Sequence, residues 1–139
     1  MSTDFSRRNF VKITGAAALA ASAPFTTGTA AAANDTINMA VVGLRSRGRE
    51  HIRQFSRIPN VRVTAVCDID ERLFPKAVQD IEELSGRKPK TVIDFRDLLE
   101  DKEIDAIAIA TPDHWHALMT VWACQAGKDA YVEKPGSHN

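Results

Sequence analysis

The sequence predicts an α/β fold, a doubly wound parallel sheet with helices running between its strands. Three observations lead there. From residue 36 onward, short β-branched runs alternate with longer segments whose apolar residues recur at helical spacing. The first run ends at Gly43 and leads through a turn to Gly48, where a helical pattern begins. Two later runs end in polar, titratable clusters, within residues 110–119 (ATPDHWHALM) and 126–135 (AGKDAYVEKP). Ligands of open α/β sheets sit beyond the carboxyl ends of the strands, so these clusters mark the candidate site.

The elements follow in order. Residues 36–42 (TINMAVV) form the first strand, closed by Gly43. A helix starts near Gly48, with Ile52 and Phe55 on one face. Residues 61–67 (VRVTAVC) form the second strand and end at Asp68. Asp70 can cap a helix that carries Leu73, Ala77, Ile81 and Leu84 on one stripe and stops at Gly86. Pro75 fits only a first turn, which moves the start of that helix to about Phe74. Residues 90–93 are a third strand, 95–100 a short helix and 105–110 a fourth strand ended by Thr111 and Pro112. A helix over 115–126 is closed by Gly127, and 130–132 is a fifth strand. Trp115 and Trp122 are expected in the core, as are the thiols of Cys67 and Cys124.

The 139 residues contain 44% hydrophobic and 26% charged side chains, the balance of a soluble globular domain. Formal charge is zero over the whole chain. Without residues 1–33 it becomes weakly acidic, with 15 basic against 17 acidic side chains. No basic stripe is present, which argues against a nucleic-acid partner. Residues 1–33 are expected to stand apart from the fold. A basic stretch with paired arginines (residues 6–12, SRRNFVK) precedes an alanine-rich apolar core and several small-residue cleavage points before Asn34. That core is about half of the roughly 20 residues needed to span a bilayer, so no stable membrane anchor is expected. The segment resembles a twin-arginine (Tat) export signal, which implies the Tat machinery as a partner and a periplasmic location.

The glycine turn reads Gly43-Leu-Arg-Ser-Arg-Gly48. Its outer glycines stand where a G-x-G-x-x-G dinucleotide turn needs them, one for the tight turn and one for close helix packing. Arg45 replaces the middle glycine, the one that lets backbone approach a pyrophosphate. Arg45, Arg47 and Arg49 can offer charge to phosphate near the helix start. Asp68, 25 residues after Gly43, can accept hydrogen bonds from an adenosine ribose and would repel a 2′-phosphate, favouring NAD over NADP. The same residues also read as plain turn glycines and a helix-start acid. His114 and His116 have the spacing of a metal pair, but no carboxylate or cysteine cluster completes one, and no metal is expected.

Four segments together (VVGLRSRGREHI, AVCDID, DAIAIATPDHWHAL and AGKDAYVEKP) resemble the glucose–fructose oxidoreductase/inositol dehydrogenase (Gfo/Idh/MocA) family and span nearly all of residues 34–139. The resemblance implies a Rossmann-like NAD(P)-binding domain over 34–139, incomplete at its C-terminal end, with the family's second α+β domain absent. Gly43 and Gly48 would cradle the pyrophosphate and Asp68 would hold the adenosine ribose. Thr111, Pro112, His116 and Glu133 would line the nicotinamide side. Lys134 corresponds to the family's active-site lysine, which polarises the substrate oxygen during hydride transfer; outside the resemblance it reads as a solvated loop lysine.

The implied activity is NAD-dependent oxidation or reduction of a sugar or polyol, by a full-length protein that is a homo-oligomer. The family's acid/base histidine belongs to the second domain, so the 139 residues alone are expected not to turn over substrate. Two alternatives stand beside this reading. One is an NAD-dependent glycosidase of the same fold, working by oxidation, elimination and reduction. The other is a non-catalytic nucleotide-binding remnant.

Overall fold

The computed structural model describes residues 36–137; the export-type segment over 1–33 lies outside the described residues. Five parallel strands form one sheet in the order β3-β2-β1-β4-β5. They are β1 (Ile37–Val42), β2 (Val61–Cys67), β3 (Lys90–Val92), β4 (Ala106–Ile109) and β5 (Asp129–Val132). Between them run α1 (Ser46–Phe55), α2 (Phe74–Ser85), α3 (Phe95–Glu100) and α4 (His116–Gln125). This is the doubly wound sheet that the strand–helix alternation predicts.

The central strands have apolar side chains on both faces because helices cover both. On one face Met39, Val41, Val63, Val66, Ala106 and Ala108 pack with Ile52 of α1 and with Ala77 and Ile81 of α2. On the other, Ala40, Val42, Ala65, Cys67, Ile107 and Ile109 pack with Phe95 and Leu98 of α3 and with Met119 and Ala123 of α4. The chain leaves β3 at one edge and crosses to β4 beside β1, so the winding reverses between β1 and β4. Such a reversal opens a crevice at the carboxyl ends of those two strands.

Local chemistry sets several boundaries. Asp70 caps a single 3-10 turn (Glu71–Leu73) by accepting from the Arg72 backbone N–H, and α2 starts after it with Pro75 in its first turn. Gly86 closes α2 in the left-handed conformation at φ 69. Asp94 caps α3, accepting from the Arg96 backbone N–H. A 3-10 turn (Asp113–Trp115) precedes α4, so that helix starts at His116, one residue later than its apolar pattern predicts.

Three expectations about the core need correction. Cys67 is buried and its thiol is pushed up to about 12 by burial, but Cys124 is exposed. Trp122 stacks on Phe95 with ring centroids 6.4 Å apart, whereas Trp115 is largely exposed. Leu84, at the far end of the α2 stripe, is also exposed. Cys124 fails because α4 is apolar around most of its circumference, so its pattern does not say which side faces the sheet; Trp115 lies before that helix, in the 3-10 turn.

Lys128, between α4 and β5, is buried and donates to the carbonyl oxygens of Asp101 (2.6 Å) and Ile104 (2.9 Å). It pins the loop that enters β4. Lys128→Met would keep the aliphatic stem but leave both carbonyls without that donor, and is expected to cost about 1–3 kcal/mol of stability. Urea unfolding of the variant checks this; an unchanged midpoint would mean water replaces the ammonium without loss.

Candidate functional site: the crevice at the strand ends

The turn after β1 is built by contact between backbones. Gly43 has φ +83, and a Cβ there would lie 2.6 Å from the Ala110 carbonyl oxygen. A Cβ on Gly48 would lie 1.7 Å from the carbonyl oxygen of Gly43. Helix α1 therefore starts hard against the turn it leaves. Hydrogen bonds tie this turn to its neighbours: Gly43 N–H donates to Cys67 O (2.9 Å), and Ala110 N–H to Val42 O (2.8 Å). No side chain caps the start of α1, and its first turn carries no acid.

Asp68 follows directly on the end of β2. Its Oδ2 accepts from the Leu44 backbone N–H at 2.7 Å, and its Oδ1 from that of Asp70 at 2.9 Å. Two backbone donors thus fix the carboxylate plane, and each oxygen keeps a further lone pair for a ribose hydroxyl. Next to it, Asp70 takes Arg45 Nη2 at 2.8 Å and Arg72 Nε at 2.7 Å. Arg72, and to a lesser extent Arg45, hold the Asp70 carboxyl below the usual carboxylate range.

On the other side of the glycine turn lies a denser cluster. Glu133, at the end of β5, accepts from Arg47 Nη2 and from His51 Nε2 on α1, each at 2.7 Å. The Arg47 guanidinium first, then the His51 hydrogen bond, lowers the Glu133 carboxyl from 4.5 to about 2. His51 is buried edge-on between Phe55 and Tyr131, with ring centroids 5.7 and 5.4 Å away. Arg47 is thus paired with a carboxylate 86 residues away, and Glu133 faces α1.

Because the Glu133 carboxyl is depressed in the folded chain, the stability it contributes is fully present above pH 4.5 and is lost as pH falls towards about 2. Glu133→Gln is expected to remove this part of the acid dependence, read as a smaller drop in urea midpoint between pH 6 and pH 3 (about three units across the titration). An equal drop in both proteins would show that other carboxylates carry it.

His116 is turned into the protein. Its side chain is 1% exposed and stands between two carbonyl oxygens, Pro135 O at 2.7 Å from Nδ1 and Thr111 O at 2.8 Å from Nε2. It joins the turn after β4 to the turn after β5. Thr111 and Pro112 lie at that first turn, half-buried and exposed, and Thr111 Oγ1 faces Met119 Sδ at 3.8 Å. Lys134 is exposed between Glu133 and Pro135, each of which is held by a partner elsewhere in the fold, and its peptide bond to Pro135 is cis. Its ammonium has no ion-pair partner among the described residues.

The crevice thus collects the residues expected from sequence: Gly43, Arg45, Arg47 and Gly48 after β1, Asp68 after β2, Thr111, Pro112 and His116 after β4, and Glu133 with Lys134 after β5. Sequence reasoning missed Asp70 as a partner of Arg45, and His51 and the Leu44 N–H altogether. A cleft of about 570 Å³ lies at the opposite end of the sheet, where β1 and β3 begin. Its Lys90 is paired with Asp101 and Glu103, so its charges answer one another. Among the described residues no three of His, Cys, Asp and Glu meet as metal ligands, and no helix is long and apolar enough to cross a membrane.

Residues 37–139 match the Gfo/Idh/MocA profile, described as an oxidoreductase family with an NAD-binding Rossmann fold. The chain belongs to that family. Among its curated relatives, a Glycosyl hydrolase family 109 protein of Shewanella baltica (strain OS155) is 33% identical over 105 residues, covering 73% of this chain and 23% of its own. The Glycosyl hydrolase family 109 protein 2 of Shewanella sp. (strain ANA-3) is 36% identical, covering 94% of this chain and 34% of its own. The crystal structure of scyllo-inositol dehydrogenase from Lactobacillus casei, with bound NAD(H) and scyllo-inositol, superposes with a TM-score of 0.67 at 27% identity. That match covers 75% of this chain and 29% of the dehydrogenase. The chain therefore spans about a quarter to a third of the length of these relatives. What it shares with them is the Gfo/Idh/MocA NAD-binding domain.

Proposed function

We propose that this Gfo/Idh/MocA chain is the nucleotide-binding part of an exported, NAD-dependent oxidoreductase acting on a sugar or polyol alcohol. The observation that carries the reading is the convergence of the glycine turn, Asp68, the Thr111 turn and Lys134 on the one crevice between β1 and β4. The fit to a dinucleotide rests on atoms of this structure. The Gly43–Gly48 contact leaves no room for a Cβ, so the turn is as tight as a pyrophosphate cradle requires, and Asp68 is held by two backbone donors with lone pairs to spare.

When bound, the nicotinamide supplies a hydride acceptor. The protein binds, orients and polarises. Asp68 takes the adenosine ribose, and the first turn of α1 faces the phosphates with uncapped N–H groups. Lys134 donates a hydrogen bond to the substrate oxygen: it stabilises the negative charge that grows there as hydride reaches a carbonyl carbon, and in the oxidising direction it eases loss of the hydroxyl proton before hydride leaves. Glu133 and Pro135, each fixed by a partner, aim the lysine between them. Export through the Tat route rests on the basic paired-arginine segment at 6–12, and such export would let the domain fold around its cofactor before leaving the cytoplasm.

A second reading has its own support, since relatives at 33% and 36% identity carry the glycosyl hydrolase name. There the same crevice would hold NAD through a cycle of oxidation, elimination and reduction, with no net change in the cofactor. One pair of assays on the complete protein separates the two. Polyol-dependent growth of NADH absorbance supports the dehydrogenase, and release of aglycone from an aryl glycoside without NADH supports the glycosidase. Failure of NAD to bind in a calorimetric titration would remove both.

A further inference from the structure

Position 45 is where the chain departs from the glycine turn, and the fold leaves that position free. Gly43 and Gly48 are required by protein backbone alone, as their missing Cβ contacts show. Arg45 has φ −80 and ψ 175, ordinary extended backbone, and its side chain is 73% exposed. The middle glycine of such a turn serves the ligand, because it lets backbone come close to the pyrophosphate. A long cation therefore stands where a dinucleotide must pass, and nothing in the protein demands it there.

We propose that Arg45 is a phosphate-binding residue of this site, held on Asp70 in this structure and exchanged onto the pyrophosphate when a dinucleotide enters. The inference rests on the nucleotide-binding role proposed above and assigns a contact within it.

The way Asp70 is shared makes the exchange cheap. Arg45 touches it once, Nη2 to Oδ2 at 2.8 Å. Arg72 grips it with Nε to Oδ1 at 2.7 Å, Nη2 to Oδ2 at 3.0 Å and its backbone N–H to Oδ1 at 3.3 Å. When Arg45 leaves, the carboxylate keeps a bidentate guanidinium and a backbone donor. The lowered Asp70 carboxyl has the same order of causes, with Arg72 first.

Arg47 is in the opposite position. It is the foremost cause of the lowered Glu133 carboxyl, and moving it would leave that carboxylate with His51 alone. Of the two arginines inside the turn, Arg45 is thus the one free to move. A guanidinium also matches a pyrophosphate better than a lone ammonium would, because its planar fork can donate two parallel hydrogen bonds.

The test is a double-mutant cycle on the whole chain, with Arg45→Gly, Asp70→Asn and the pair, titrated calorimetrically with ADP-ribose and with adenosine. Arg45 is largely exposed, asparagine keeps a cap oxygen in place of the half-buried Asp70 carboxylate, and thermal melts confirm that each variant folds. Arg45→Gly is expected to weaken ADP-ribose about tenfold and to flatten its salt dependence, the loss of one charged hydrogen-bonding group. Asp70→Asn is expected to tighten ADP-ribose about two- to fivefold by removing the competing partner, and to do nothing when Arg45 is absent. Adenosine, which lacks phosphate, is expected to bind all four proteins alike.

An Arg45→Gly variant that binds ADP-ribose as well as the parent, or better, overturns the inference while leaving the dinucleotide site standing. So does an Asp70→Asn effect that persists without Arg45, or an equal loss for adenosine. If neither the parent nor Arg45→Gly binds ADP-ribose, the inference and the nucleotide-binding role fail together.

Discussion

Gly48→Ala is expected to destabilise the domain by about 3 kcal/mol or more, the upper range for forcing an extra carbon into a packed site. The added Cβ would sit 1.7 Å from the carbonyl oxygen of Gly43, and neither atom belongs to a side chain that can swing away. Relief requires α1 to back off from the turn. That movement would drag Ile52, which is fully buried against the sheet, and would disturb the Arg47 and His51 contacts to Glu133. Damage would thus spread from the turn to both the core and the crevice. Urea unfolding measures the cost, and Ser46→Ala, two residues earlier on an exposed position, serves as the control. Equal midpoints for the two variants would show that the turn has slack that its backbone geometry denies.

Lys134→Met is expected to lower turnover by the complete protein about 10²–10³-fold, the size of losing one preorganised donor to a developing oxyanion. Affinity for NAD is expected to stay within about twofold, because a group that acts only as charge develops contributes to the transition state and not to cofactor binding. The structure favours a large effect. Glu133 N–H is anchored on Ile109 O at 3.0 Å, the Glu133 side chain is held by α1, and Pro135 O meets the buried His116 ring. The backbone on both sides of Lys134 is fixed while its ammonium stays unpaired among the described residues. Parallel loss of NAD affinity and turnover would mean that the lysine holds the cofactor instead; full turnover would remove it from the chemistry.

The fold was legible because its signals are local. Each strand is a short β-branched run, each helix has a start or stop residue within a few positions, and Pro75 fixed the first turn of α2. The two glycines of the turn were legible for the same reason, since their contact lies five residues apart in sequence. The partners of the site were not. Arg47 and Glu133 are 86 residues apart, and His116 reaches Pro135 across 19, so nothing near either residue announces the pairing. Charge near a helix start suggested phosphate for Arg47, when a carboxylate delivered by β5 satisfies it. His116 was placed beside the ligand by the family resemblance, and nothing near it in sequence shows that the first residue of α4 turns its ring inward. Cys124 was misplaced because an apolar helix hides its own orientation, and Trp115 because the chain makes a 3-10 turn there before α4 begins. Lys128 carries no local signal either, because the two backbone carbonyls that hold it come from 27 and 24 residues earlier.

The glycine turn divides its labour between architecture and ligand. Residues 43 and 48 answer to the protein's own backbone, while residue 45 answers to no protein atom that could not spare it. An engineer could therefore randomise position 45 alone and select on nucleotide affinity, with each variant spared the folding penalty that usually accompanies changes in a binding loop. Cofactor affinity and fold stability can be tuned here on separate dials, two and three residues apart.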